Sequence, residues 1–523
     1  MMLHRHEWSP EEQECPARLS RPFSRIQHYG LMERCILVPA RNITESALLS
    51  VHSKEYVSLV KKSAKLTTEQ LYDLSGQYDG VFFNSVSYNS SAIAAAHLLG
   101  SPPMSTFCPN PSEVAVPPPK TPTFPQFKRI LIVDWDVHQG QGTQFAFYND
   151  NRVLFISIHR YERQKFWPKL REGDFDFIGD GAGRGFNINV PLNKTGMTDC
   201  DFLAIFHTII MPVAYEFDPE IVFVSCGFDA AVGNAEGKMW ISPACYGHMT
   251  HHLRTLAGGK IVVVLEGGYF LDSLEEGCVH VLKSLLGDAV PPLQAQGPPS
   301  RRPLVKGVIW PDINPKLPKP LIAFSRRLLQ KCFPAPLPKS TLADLLVLLQ
   351  VDASSQRNYP VNEFFVFDST LVFSFRCSPC SATPEFTLES FSPTKSGESQ
   401  TTWITLPLQT SQCCQIEAVS GCAHTVANVL AIMNAIVLPM SYAFGPDLVL
   451  INLGSAAEEP NKSTGVPAIS LLHVAFLLKN IGSRLIVVTS RDADPHPLLL
   501  RCLLCEAPPR PFEEDQKCFA CPE

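Results

Sequence analysis

Apolar positions along this chain fall into two rhythms. Three runs are apolar without interruption: Ile130 to Val133, Ile221 to Val224 and Ile261 to Leu265. Unbroken hydrophobicity of this length predicts strands buried on both faces, as in a parallel sheet layered between helices. Each run ends in small and acidic residues: Asp134-Trp-Asp-Val-His138 after the first, Ser225-Cys-Gly-Phe-Asp229 after the second and Glu266-Gly-Gly-Tyr269 after the third. In open parallel sheets the ligand crevice lies beyond the strand C-termini. The three strands are therefore expected to deliver Asp136, His138, Asp229 and Tyr269 to one sheet edge. Asp134, Asp136 and His138 alternate, and in an extended chain all three point to one side, where oxygen and imidazole ligands could converge on a cation. The second rhythm is helical. It covers Leu19 to Gly76 with a helix start at Ser53, then Ser91 to His97, both flanks of the Asp229 strand within Asp199 to Leu256, and a closing helix over Leu274 to Leu286.

One segment occurs twice. Pro212 to Gly227 recurs without a gap as Pro439 to Gly454. In the second copy Ala456 stands where Asp229 stood, and the third strand returns as Leu485 to Ser490, followed by Arg491-Asp-Ala. The apolar frame is kept and the chemical residues are lost, which describes a smaller, degenerate α/β copy. Pro291 to Pro338 is dense in proline and reads as a linker with one helix at Leu321 to Lys331, while Ser101 to Pro125, centred on Val114-Ala-Val-Pro-Pro-Pro-Lys120, reads as an extended loop. The expected organisation is a first domain over 1–292 containing the Pro-rich loop 101–125, a linker over 293–340, a pseudo-domain over 341–510 and a Cys-containing tail over 511–523.

Composition narrows the class. The chain has 523 residues, 45% of them hydrophobic and 18% charged, an ordinary globular balance with room for more than one domain. A net charge of −6 gives no reason to expect direct nucleic-acid binding. Met1 to Arg18 is polar and acidic, without the pattern of a signal or transit peptide, and Asn428, Asn434 and Pro439 interrupt the longest apolar stretch, which argues against a membrane span. Seventeen cysteines in that context predict reduced thiols, in the cytoplasm or nucleus. Cys502-x₂-Cys505 and Cys518-x₂-Cys521 approach the spacing of a four-cysteine zinc site. The repeat sets the first pair on the last turn of a helix, where three-residue spacing is core packing. Cys377 and Cys380 flank Pro379 and read as loop residues.

In this order and spacing, the three strand ends resemble the zinc-dependent histone deacetylases, most closely class IIb and its polyamine-deacetylating branch, from about Glu33 to Pro292. The resemblance implies an arginase/deacetylase-like parallel sheet flanked by helices, with the degenerate copy behind it. It implies that Asp136, His138 and Asp229 hold a catalytic Zn²⁺ and leave a position open for water and the substrate carbonyl. Tyr269 would donate to the oxyanion of the tetrahedral intermediate. Asp134 and Ser157 would hold a monovalent cation, K⁺, and Glu236 would stand at the tunnel mouth and pair with a secondary ammonium of acetylated spermidine. The implied substrates are N-acetylated polyamines and, more broadly in the family, acetyl-lysine of histones and other proteins. The implied partners are other deacetylases and corepressors in chromatin regulation.

The sequence departs from the family pattern in several places. The tandem histidines that act there as general base and acid are missing: only His97, on an Ala-rich helix, lies between Ser53 and Asp134. Gln139 stands where a histidine commonly follows the ligand. Pro10 to Gln13 does not match the helix that narrows the tunnel, and the family's opening strand has no counterpart before Trp8. General acid–base catalysis is worth typically 10²- to 10⁴-fold. The rival expectation is therefore a catalytically impaired, metal-binding scaffold that interacts through its second half.

Overall fold

The structure is a computed structural model. It describes residues 5–9, 13–39, 42–49, 52–78, 81–100, 127–293, 345–350, 369–378, 387–391, 400–409, 423–454, 468–482, 484–489, 497–504 and 506–511. The Pro-rich loop, the linker beyond Leu293 with its expected helix, and Cys380, Ala456, Cys505, Cys518 and Cys521 lie outside the described residues.

The uninterrupted apolar runs become the centre of a five-stranded sheet. Its strands are β1 (Ile130–Asp134), β2 (Val153–Arg160), β3 (Asn187–Leu192), β4 (Ile221–Cys226) and β5 (Ile261–Leu265), in the order β3-β2-β1-β4-β5. Every neighbouring pair is parallel. The helices are α1 (Ala17–His28), α2 (Glu45–Leu49), α3 (Lys54–Ser63), α4 (Thr68–Ser75), α5 (Ser87–Gly100), α6 (Gln141–Phe147), α7 (Asp199–Ile205), α8 (Met211–Phe217), α9 (Pro243–Leu253) and α10 (Leu271–Leu285). Leu131, Val133, Leu154, Val190, Val222 and Val224 from the sheet and Phe202, Phe206, Tyr246 and Leu274 from the helices form one core.

Local chemistry sets the helix ends. Ser53 is the N-cap of α3, its side chain accepting from Tyr56 N–H at 3.1 Å, and Thr67 and Gln70 close a capping box on α4. Leu19 to Gly76 is not continuously helical. Gly30, at φ 66°, follows the end of α1, and after a short turn at Met32–Arg34 the chain runs without regular structure through Ile36 and Leu37, both largely exposed. Ion pairs Arg21–Glu275, Arg25–Glu276 and Arg34–Asp288 tie this N-terminal region to α10 and the turn after it.

A second sheet contains β6 (Leu345–Gln350), β7 (Ser369–Ser378), β8 (Thr387–Phe391), β9 (Gln400–Gln409), β10 (Leu448–Gly454) and β11 (Arg484–Thr489), in the order β11-β10-β6-β7-β9-β8. Only β8 runs antiparallel to its neighbour. Among the described residues this sheet has six strands, one more than the first, with β8 added at the edge of β9. The repeated segment keeps its local shape in detail. A π-helical turn at Phe206–Ile210 precedes α8, and another at Met433–Val437 precedes the helix Leu438–Phe444. Each of those helices stops on a left-handed residue, Asp218 or Gly445. The continuous helices Asp199–Phe217 and Val426–Phe444 are long and apolar enough to cross a bilayer, and each buries most of its length inside the protein.

The second half has its own core, around Ile436, Ile451 and Phe476, and also reaches into the first. Val426 and Leu430 join the first core. Tyr442 Oη lies 2.8 Å from His248 Nδ1 and 3.2 Å from His252 Nε2, and His252 Nε2 is 3.3 Å from His207 Nε2. His251 Nε2 bonds Phe476 O at 2.7 Å, and His473 Nε2 bonds Pro509 O at 2.9 Å.

Candidate metal centre

β1 stops at Asp134, so the alternating residues after it are not extended as the sequence suggests. Two successive turns replace the strand: Asp134 Oδ1 accepts from Asp136 N–H at 3.1 Å, and Asp136 Oδ1 accepts from His138 N–H at 2.9 Å. This local bonding, typical of aspartate in turns, competes with the strand and still brings Asp136 and His138 together. Asp229 arrives from the end of β4 and accepts from Val137 N–H at 2.8 Å. Gly267, from the end of β5, donates its N–H to Asp136 Oδ2 at 3.0 Å. A Cβ at Gly267 would overlap carboxylate oxygens of both Asp136 and Asp229, and one at Gly227 would overlap Asp136. Only glycine lets the three strand ends come this close.

The ligand atoms of Asp136, His138 and Asp229 all lie within 4.8 Å of one another, the one such cluster of His, Cys, Asp or Glu among the described residues. His138 Nδ1 stands 3.0 Å from Asp136 Oδ1 and 3.1 Å from Asp229 Oδ2, while Nε2 is 3.1 Å from Glu236 Oε1. Burial alone would lower the His138 pKa, but Asp136, Asp229 and Glu236 push it up to about 12. The imidazole is thus the cation for three carboxylates. Burial raises Asp229 to about 7, helped by Asp136. For Asp136 burial also works upward, and the bonds to His138 overcome it and hold the carboxylate below its usual range. Asp229 Oδ2 is fully buried with no aligned hydrogen-bond donor. Two carboxylates and an imidazole nitrogen this close together, with Asp229 buried and the other two partly so, fit a divalent metal such as zinc.

The other sequence candidates take distinct places. Asp134 and Ser157 face each other in the β1–β2 register and are both buried. Burial, then Asp136, raises the Asp134 pKa well above the usual carboxylate range. The Ser157 hydroxyl lies 2.9 Å from His159 Nδ1, and His159 Nε2 donates to Gly173 O at 2.8 Å. Tyr269 is half-buried two residues beyond Gly267; burial raises its hydroxyl pKa, and the Asp229 and Asp136 charges push the same way. Glu236 is expected at a tunnel mouth and is found on the ring of His138, in a loop held by Asn234 Oδ1 and by Arg160 Nη1 donating to Glu236 O at 2.6 Å. Gln139 is buried and donates to Gln144 Oε1 at 3.2 Å.

Sequence reasoning did not find Arg18, Phe166 or Trp167. Arg18 Nε donates to Gly268 O at 2.8 Å, and its guanidinium lies 4.7 Å from the Tyr269 ring centroid. The Phe166 ring stacks on His138 at 5.2 Å, with the Trp167 ring edge-on at 5.6 Å. No periodicity announces contacts between residues so far apart in the chain; the Phe-Trp pair at 166–167 was the one available signal.

Residues 114–285 match the histone deacetylase domain. The chain is 42% identical over 318 residues to human polyamine deacetylase HDAC10, covering 56% of this chain and 47% of that protein. It is 39% identical over 316 residues to the histone deacetylase clr3 of Schizosaccharomyces pombe, covering 53% and 45% respectively. The chain thus spans about half the length of these curated relatives. A crystal structure of the HDA15 HD domain aligns with a TM-score of 0.49 and 29% identity, over 62% of this chain and 95% of that one.

Proposed function

We propose, from the match of residues 114–285 to the histone deacetylase domain, that the protein is a zinc-dependent amidohydrolase acting on acetyl amides, with N-acetylated polyamines as its preferred substrates and acetyl-lysine as the broader class. The observation that carries this reading is the convergence of Asp136, His138 and Asp229 within 4.8 Å. Zinc held there supplies Lewis-acid polarisation of an amide carbonyl. The remaining work falls to the chain. With its pKa raised, the Tyr269 hydroxyl stays protonated at neutral pH and can donate to a developing oxyanion. Glu236 orients His138 through Nε2 and gives the pocket a negative charge that suits a cationic polyamine. Phe166 and Trp167 wall the site on the His138 side, one ring stacked on the imidazole and the other edge-on. Asp134 and Ser157, buried and adjacent across β1 and β2, are proposed to hold K⁺.

A second reading rests on one sequence observation: only His97 lies between Ser53 and Asp134, so no tandem histidines precede the zinc strand. In that reading the protein is a metal-binding pseudoenzyme, and the second half, a degenerate deacetylase-like domain, is its interaction module with other deacetylases or corepressors. Free cysteines among the described residues suit the reducing cytoplasm and nucleus for either reading. Metal analysis and turnover of N-acetylated spermidine and of an acetyl-lysine peptide, with Asp229→Ala as control, separate the two. Zinc-dependent turnover lost in the control supports the enzyme, whereas stoichiometric zinc without turnover supports the pseudoenzyme. Failure to bind zinc overturns both.

A further inference from the structure

The outer edge of β5 is bare among the described residues. On its inner side, Val222 N–H donates to Lys260 O and Glu266 N–H donates to Cys226 O, so the even-numbered residues direct their backbone groups to β4. Strand alternation turns the N–H and C=O of Ile261, Val263 and Leu265 outward, and no described residue bonds them. β2 and β3 are buried along nearly their whole length, but all five residues of β5 are only half-buried. An Ile-Val-Val-Val-Leu edge without glycine, proline or charge is a template for another strand.

Its flanks indicate which strand. The segment reads Lys260-Ile-Val-Val-Val-Leu-Glu266, symmetric in hydrophobicity about Val263 and opposite in charge at its two ends. We propose that this edge is a homodimer surface, at which β5 pairs antiparallel with β5 of a second copy about a two-fold axis at Val263. A two-fold axis makes the contact isologous and the strands antiparallel. Ile261 then faces Leu265 of the second copy, Val263 faces its own equivalent, and the outward-facing positions meet only one another, so each can exchange both backbone bonds. Val262 faces Val264, and Lys260 faces Glu266, in the non-hydrogen-bonded pairs where side chains approach most closely. Any other occupant would need its own complement to that charge arrangement.

Sedimentation velocity of the full chain over a range of concentrations tests the pairing, with circular dichroism to verify that each variant keeps the wild-type fold. We expect a monomer–dimer equilibrium. Lys260→Glu places two carboxylates opposite each other at both symmetric positions, and Glu266→Lys places two ammonium groups there, so each single variant is expected to weaken the dimer about tenfold. The exchanged double variant, Lys260→Glu with Glu266→Lys, restores opposite charges and is expected to recover the dimer. A monomer at every concentration, with the edge taken by another segment of the same chain, overturns the proposal. So does a dimer that neither single variant weakens, or a double variant as weak as the singles.

Discussion

His138 offers its two ring nitrogens to different neighbours: Nδ1 to the carboxylates of Asp136 and Asp229 and Nε2 to Glu236 Oε1 at 3.1 Å. A carboxylate on the far nitrogen fixes the tautomer of a ligand histidine and raises its basicity. Glu236 therefore links the charge that would meet a polyamine to the ligand that would meet the metal.

Glu236→Ala is expected to lower zinc affinity by about 10- to 100-fold, read by competition with a chelating dye, and also to reduce the preference for acetylspermidine over an acetyl-lysine peptide. Glu236→Gln, which can still accept from Nε2, is expected to recover most of the affinity but not the preference. Unchanged zinc affinity in the Ala variant would remove Glu236 from the support of His138.

Gly267→Ala is expected to abolish metal binding while leaving the fold in place, because the new Cβ overlaps Asp136 and Asp229. Gly142→Ala is the matched control: its Cβ meets nothing within 4 Å and it sits in α6, so stability is expected to rise by roughly 0.5 kcal/mol. Zinc stoichiometry and the thermal midpoint of both variants report the contrast.

Tyr269→Phe removes the proposed oxyanion donor and is expected to reduce kcat about 100-fold. Arg18→Ala loses the bonds to Gly268 O and Glu266 O and the face of the Tyr269 ring. We expect it to reduce kcat about tenfold by loosening Tyr269, with KM and zinc content unchanged. A change confined to KM would refute that positioning role.

The histidines between the two halves are expected to make the fold acid-sensitive. Burial lowers His207 to about 3 and His248 and His473 to about 4, and it holds His251 and His252 well below 6.5. An unfolded histidine binds a proton below about pH 6.5, which these buried rings refuse until about pH 4 or lower. Their contribution is therefore complete above the unfolded pKa and is lost as the pH falls, at about 1.4 kcal/mol per pH unit for each ring. Urea midpoints taken from about pH 7 down to about pH 5 should fall steadily, and a flat profile would contradict this reading.

The sheet was legible in the chain because continuous apolar runs state burial directly, and Ser53 was legible because an N-cap is a local event. The repeat carried over even the helix stop, where Asp218 and Gly445 occupy matching positions. The path from Asp134 to His138 was misread as extended, because alternation cannot distinguish a strand from two carboxylate-anchored turns. Arg18 gave no signal and Phe166 only the Phe-Trp pair, because their partners are set by packing at long range. The strands β6 to β9 fall inside the expected pseudo-domain over 341–510, but none carries an apolar run ending in chemistry that would place it there.

Val426 and Leu430 sit inside the first half's core, and Tyr442 sits among that half's histidines. The second half has a core of its own around Ile436, Ile451 and Phe476, but it also completes the first, so heat or denaturant should melt the two in one transition. A fragment cut at the linker would expose an oily wound on either side, and the cell's quality control would treat it as damaged protein.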